Sequence, residues 1–247
     1  MIRLFVSDID GCLAMPYEPF DLTRLGELAR ASREAGPPCV GASMPAVSIC
    51  SGRSYAYVEA MAQLLAVSTP VLFESGAGMF DMTTGLSTLH PDLSPKIVAE
   101  LFEIRSFMES IVLARPGLSV DYGKRAQAGL VGTVENGLFE VLDEITPWVS
   151  EHFPNHNTFH THISIDVVPA GLTKKEGLEW LGRTVGVSLE EIAFIGDTNG
   201  DIGAMQACGY SFAPKNAQSS VKAIADHVSN LDDIGAVLEA YELAVAR

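Results

Sequence analysis

Asp8-Ile9-Asp10-Gly11 follows the apolar run Ile2-Arg3-Leu4-Phe5-Val6, and Gly196-Asp197-Thr198-Asn199-Gly200-Asp201 follows Ile192-Ala193-Phe194-Ile195. Two strand-like runs therefore each end in two carboxylates. Four acidic side chains in one pocket repel one another unless a hard cation neutralises them, and Mg²⁺, with its preference for oxygen, is the expected cation. The chemistry such a pocket suits is metal-assisted phosphoryl transfer.

Asp8 stands first after its strand, where a carboxylate can attack phosphorus and form an aspartyl phosphate, splitting one hard displacement into two easier ones. Asp10, two residues on, lies on the same side of an extended segment and can give a proton to a leaving alcohol, then take one from water. Ser51 in Cys50-Ser51-Gly52-Arg53 ends another strand ahead of a helix, so its hydroxyl and the neighbouring amides, Gly52 included, can grip a phosphoryl oxygen. Ser51 can equally serve as a helix cap, the commoner role for such a serine. Lys174 or Lys175, at the start of a helix from Thr173, can set positive charge on the same phosphoryl group. Cations at a helix start oppose the dipole, so a merely decorative role is less natural there.

The elements that must position these residues follow α/β grammar. Strands are expected over 2–7, 46–50 and 70–73, with helices over 21–35 and 54–66, and a turn or short hairpin through Gly76 and Gly78. From about Thr83 the style changes: helix 94–110, strand-like segments around 111–133, helix 136–152 and strand 161–168. After Pro169 the first pattern returns, with helices 173–185, 201–207, 217–226 and 231–245 and strands 192–195 and 210–212. A Rossmann-like parallel-sheet core with helices on both faces is expected over 1–82 and 169–247. A smaller α/β unit over 83–168 is inserted into it and can move as a lid. In such sheets ligands bind beyond the carboxyl ends of the strands, where Asp8, Ser51 and Asp197 all fall.

With 247 residues, 47% of them hydrophobic and 19% charged, the chain can bury a sizeable core. A formal charge of −15 disfavours nucleic-acid and anionic-membrane partners, while a small anion can still be met by a local basic pocket. The four cysteines, Cys12, Cys39, Cys50 and Cys208, show no metal or disulfide spacing, so free thiols in a reducing cytoplasm are expected. No secretory signal or run of membrane-spanning length is seen, so a cytoplasmic location is expected.

These residues resemble the haloacid dehalogenase-like phosphatases, in the Cof-type and sucrose-phosphatase-like branch with an α/β cap inserted after the second motif. Asp8-Ile9-Asp10-Gly11 is similar to the first motif, Ser51-Gly52-Arg53 to the second, Gly171-Leu172-Thr173-Lys174 to the third and Gly196 to Asp201 to the fourth. Phe73-Glu74-Ser75-Gly76-Ala77 and Pro214-Lys215-Asn216-Ala217 extend the likeness. The resemblance implies that Asp8 is the nucleophile, Asp10 the general acid and base, and Ser51, Gly52 and Lys174 phosphate binders. It implies a Mg²⁺ ion held by Asp8, the Asp10 carbonyl and Asp197, with Asp201 in support. Two departures stand out: Cys12 occupies a usual threonine place, and Gly200 precedes the last aspartate, so that the phosphate contact of the usual asparagine is either shifted to Asn199 or lost.

Hydrolysis of a small phosphorylated metabolite, a sugar phosphate or a phosphoglycolate-like acid, is the expected function. A sugar phosphomutase using the same aspartyl phosphate and a non-catalytic binder of phosphorylated ligands are the alternatives. A signalling receiver also joins Asp, Ser or Thr, Lys and Mg²⁺, but the length, the insertion and the late GDxxxD pattern argue against it. Arg115, Lys124 and Arg125 in the inserted unit, and His160 and His162, are expected to be surface residues or minor contacts.

Overall fold

Every residue of Leu4–Ser7 is buried, and the strand it forms, β1, lies inside a five-stranded sheet. A strand covered on both faces needs a continuous apolar run, and Leu4-Phe5-Val6 supplies one. The computed structural model describes all 247 residues. After β1 come α1 (Leu22–Ala35), β2 (Ala46–Ile49), α2 (Tyr55–Leu64), β3 (Val71–Phe73), β4 (Gly78–Asp81) and β5 (Leu86–Leu89). Next are α3 (Pro95–Val112), β6 (Ser119–Val120), β7 (Ala128–Val131), α4 (Leu138–His152), β8 (His156–His160) and β9 (Ser164–Pro169). The chain finishes with α5 (Lys174–Val185), β10 (Ile192–Ile195), α6 (Ile202–Ala207), β11 (Tyr210–Ala213), α7 (Ser219–Lys222), β12 (His227–Val228) and α8 (Asp233–Val245).

The main sheet runs β12-β11-β10-β1-β2 with every neighbouring pair parallel. Parallel neighbours need long crossovers, and helices provide them. Leu4 and Val6 join a core with Leu178 and Leu181 of α5 and with Ala204 and Met205 of α6. Phe5, of opposite parity, meets Tyr241 of α8 edge-on with ring centroids 5.4 Å apart. The Tyr241 hydroxyl donates to the Pro45 carbonyl at 2.8 Å, tying α8 to the entry of β2. The fold is thus a mixed α/β one, a parallel sheet with helices on both faces.

Two compact units are present, Met1–Thr88 with Lys174–Arg247, and Leu89–Thr173. The limits expected at 82/83 and 168/169 fall short of these for a structural reason. β4 and β5 continue the β3 sheet, and β9 runs through Pro169 as a strand of the second unit. The second unit has its own antiparallel sheet, β6-β7-β9-β8. Its core joins Leu101, Ile104 and Met108 of α3 and Val141, Ile145 and Val149 of α4 to Leu130, Ile165 and Val167 of the sheet.

Several sequence expectations need correction. The polar strand β8 was not anticipated; it holds His160, while His162 sits in the turn before β9, and both rings abut Phe139, at 5.6 and 6.4 Å. Lys124 is buried and paired with Asp166, and Arg115 pairs with Glu144. The helix expected over 217–226 is only the single turn α7. No helix is long and apolar enough to cross a membrane.

Candidate active site

Register brings the site together. Ser7 pairs with Ile49 on one side and with Ile195 on the other, so β1, β2 and β10 end level. Asp8 emerges directly from β1, Ser51 two residues past β2, and Asp197 two residues past β10. The loop after Asp8 is closed by the amides of Cys12, Leu13 and Ala14, which donate to the Ile9 carbonyl at 2.8 to 3.1 Å. Gly11 has φ +75°, and a Cβ there would stand 2.1 Å from Asp197 Oδ2, so two strand-end loops approach as closely as they do because this residue is glycine.

Asp8, Asp197 and Asp201 each present a carboxylate oxygen within 4.8 Å of the others. Lys174 Nζ donates between them, 2.7 Å from Asp8 Oδ2 and 2.6 Å from Asp201 Oδ1. The second oxygen of Asp201 accepts from the amides of Asp197 and Thr198 at 3.2 and 3.0 Å and from the Thr198 hydroxyl at 3.1 Å. Asp8 Oδ1 accepts from the Ile9 amide at 2.7 Å. Asp197 Oδ1, by contrast, is buried without any donor. An ionised oxygen in that state carries an uncompensated desolvation cost.

The protonation preferences describe the same shortage of positive charge. Burial, opposed by Lys174 and reinforced by Asp201, raises the Asp8 carboxyl to about 7. Burial, together with Asp201 and Asp8, raises Asp197 to about 8. Burial works against the charge on Lys174, but Asp201 and Asp8 outweigh it and hold the ammonium charged well past its ordinary range. One ammonium stands among three carboxylates, leaving two negative charges uncompensated, which is the charge of one divalent cation. The oxygen-only donor set and the orphaned Asp197 oxygen fit such an ion. Cys12 lies buried beside these carboxylates, and burial with Asp197 and Asp8 keeps it a neutral thiol.

The Ser51 loop is held from outside by a turn. Glu74 and Ser75 have φ of 50° and 56°, a strained conformation for residues with side chains, and Gly76 follows at 89°. That bend lets the Glu74 amide donate to the Arg53 carbonyl at 2.9 Å and the Ser75 amide to the Ser51 carbonyl at 2.8 Å. On the other side of the turn Gly177 of α5 packs so closely that a Cβ would stand 2.4 Å from Gly76 Cα. The turn therefore sets both the Ser51 loop and the helix that begins with Lys174.

Of the expected site residues, Asp8, Asp197, Asp201 and Lys174 are brought into one cluster, with Ser51 fully buried at the adjacent strand end. Ser51 does not cap α2, which starts after Ser54; its hydroxyl accepts from the Arg53 amide at 3.3 Å. Lys175 is outside the cluster, half exposed and 3.9 Å from Glu179. Asp10 turns its carboxylate to Arg53. Asn199 is exposed, and its Oδ1 accepts from Ser220 of α7 at 2.5 Å.

Two residues escaped the sequence reading. Arg53 grips Asp10 with two hydrogen bonds, Nε to Oδ2 at 2.7 Å and Nη2 to Oδ1 at 2.6 Å. Asn216 donates to the Gly11 carbonyl at 2.8 Å and accepts from the Asp233 amide at 3.1 Å, pinning the Asp10-Gly11 loop to the start of α8. Both lie inside stretches whose likeness to the family was noted, and that likeness was the available signal.

The parallel α/β sheet thus gathers three carboxylates and a lysine at its strand ends, where sheets of this kind bind their ligands. Comparison with known proteins adds to this. Residues 136–240 match a family described as haloacid dehalogenase-like hydrolase. A phosphoglycolate phosphatase of Thermoplasma acidophilum is 25% identical over 248 residues, spanning 98% of this chain and 100% of that protein. One from Methanococcoides burtonii is 24% identical over 253 residues, spanning 100% and 98%. Among solved structures, one from Thermoplasma acidophilum superimposes with a TM-score of 0.74 at 22% identity, covering 98% of this chain and 99% of that one. The sucrose-phosphatase of Synechocystis, solved with sucrose and phosphate, gives 0.68 at 17% identity over 99% and 98%.

Proposed function

We propose that the protein is a Mg²⁺-dependent phosphomonoesterase acting on a small phosphorylated metabolite, a sugar phosphate or a phosphorylated carboxylic acid such as phosphoglycolate. The observation that carries the reading is Lys174 bridging Asp8 and Asp201 while a buried oxygen of Asp197 has no donor. The full-length relatives named phosphoglycolate phosphatase support hydrolysis as the outcome.

Asp8 attacks phosphorus; the bond from phosphorus to the leaving oxygen breaks, and Asp10 delivers a proton to that oxygen. Water then attacks the aspartyl phosphate, Asp10 takes its proton, and inorganic phosphate leaves with Asp8 restored. Ser51, the Gly52 amide and Lys174 hold the phosphoryl oxygens, whose charge they stabilise in the transition state. The Asp8 and Asp197 carboxylates and the Asp10 carbonyl would hold the cation, with Asp201 steadying both Lys174 and the Asp197 loop. When bound, the ion offsets the surplus negative charge and screens the approach of an anionic ester to an anionic nucleophile. Free thiols at all four cysteines suit a reducing cytoplasm.

Phosphate release from a panel of sugar phosphates, phosphoglycolate and nucleotides tests this. Release should require Mg²⁺, stop with chelator, and fall by about 10³-fold or more in Asp8→Asn. Undiminished release by Asp8→Asn would overturn the mechanism, and an isomerised sugar phosphate in place of free phosphate would make the protein a mutase.

A further inference from the structure

We propose that Arg53 selects the leaving group: its guanidinium takes the carboxylate of a phosphorylated hydroxy acid in exchange for the Asp10 carboxylate that it holds in the free protein. The inference rests on the phosphatase reading above and names the substrate class within it.

Position is the first argument. Asp10 must face the leaving oxygen to protonate it, and Arg53 is the group that Asp10 touches, at 2.6 and 2.7 Å. A carboxylate one carbon beyond the leaving oxygen therefore ends where Arg53 already binds a carboxylate. The residue is firmly placed for this. Its amide donates to Ser51 Oγ at 3.3 Å and its carbonyl accepts from Glu74 at 2.9 Å, so its backbone is part of the loop that presents the buried Ser51.

Charge is the second. The cluster already carries surplus negative charge, so a substrate with a second anionic group is repelled unless a cation receives it. Lys174 is committed to Asp8 and Asp201. Arg53 is committed only to Asp10, its Nη1 has no hydrogen-bond partner in the protein, and its side chain keeps 21% of its exposure. Replacing one carboxylate by another preserves the two-pronged pair, so the exchange is close to balanced. Tyr57 and Tyr17, with ring centroids 4.9 and 5.8 Å from the guanidinium carbon, keep the fork in place while its partner changes.

The exchange also frees the Asp10 side chain to turn toward the leaving oxygen. An ester without a carboxylate leaves Asp10 in the grip of Arg53, so such esters should be poorer substrates in kcat as well as in KM.

The test compares phosphoglycolate with ethyl phosphate, both with Mg²⁺, in the intact protein and in Arg53→Gln and Arg53→Lys. In Arg53→Gln the ratio of kcat/KM for phosphoglycolate over ethyl phosphate should fall by about 10-fold to 100-fold. Arg53→Lys, which keeps the charge and loses the fork, should recover part of that ratio and covers the case in which the glutamine variant fails to fold. Equal losses on both esters would mean that Arg53 serves only to hold Asp10, overturning the inference and leaving the phosphatase reading intact. Hydrolysis of neither ester nor any sugar phosphate by the intact protein would overturn both.

Discussion

At the scale of residues, one ammonium among three buried carboxylates makes stability depend on pH and on cations together. Asp8 and Asp197 have their carboxyls raised from the ordinary 3.8 to about 7 and about 8, chiefly by burial. The folded state then holds protons that the unfolded chain has released, so their contribution to stability is full below about pH 4 and is lost as pH rises through 7 and 8. Burial also depresses His156, which favours the folded state as pH rises through the histidine range, so the carboxylate contribution has to be isolated. Asp197→Asn isolates it: thermal unfolding in chelator should show the variant gaining on the parent steadily from pH 5 to pH 9. With Mg²⁺ in excess the parent should regain the difference, because the cation does at high pH what protons do at low pH. A gap that is constant with pH would show that Asp197 is compensated by something other than the cluster described.

At the scale of elements, the site depends on a backbone contact rather than on a functional group. Gly177 brings α5 against the Glu74–Gly76 turn, and a Cβ there would stand 2.4 Å from Gly76 Cα. Gly177→Ala must push helix and turn apart, at a cost of about 1–3 kcal/mol by the usual scale of overpacking. Because the same turn holds Ser51 and Arg53, kcat/KM should fall along with the melting temperature. An alanine variant with native stability and turnover would show that α5 is not seated by this contact. The contact also marks the limit of what was legible in the sequence. Asp8, Asp197, Asp201 and Lys174 could be placed because each follows a strong strand or helix signal, and parallel strands leave only one edge for their ends to share. The role of Arg53 was not legible, since it depends on which way Asp10 turns. Nor was the direction of Asn199, whose side chain meets Ser220 of α7, a contact between residues 21 apart in the chain. β8, His156–His160, was missed because its residues are polar and largely exposed, and without an apolar alternation an edge strand has no periodic signal.

At the scale of the whole molecule, two hydrophobic cores with separate residues imply two units of separate stability. The chain has two tryptophans, and one falls in each. Trp148 stacks on Phe107 at 3.9 Å inside the second unit, whereas Trp180 packs against the core of the first. Trp180→Phe therefore leaves a fluorescence probe for Leu89–Thr173 alone, and Trp148→Phe a probe for the remainder. The carboxylate cluster belongs wholly to the first unit, and a ligand that binds only the folded form stabilises by RT ln(1 + [L]/Kd), about 2.7 kcal/mol at a hundredfold excess over Kd. Mg²⁺ should accordingly raise the denaturation midpoint seen by Trp180 and leave that seen by Trp148 where it was. The second unit, with α3 and α4 already packed on a complete antiparallel sheet, should also unfold cooperatively as an isolated fragment of residues 89–173. Equal movement of both midpoints with Mg²⁺, or a fragment without a cooperative transition, would mean that the two cores form a single cooperative body and that the insertion depends on its host for its fold.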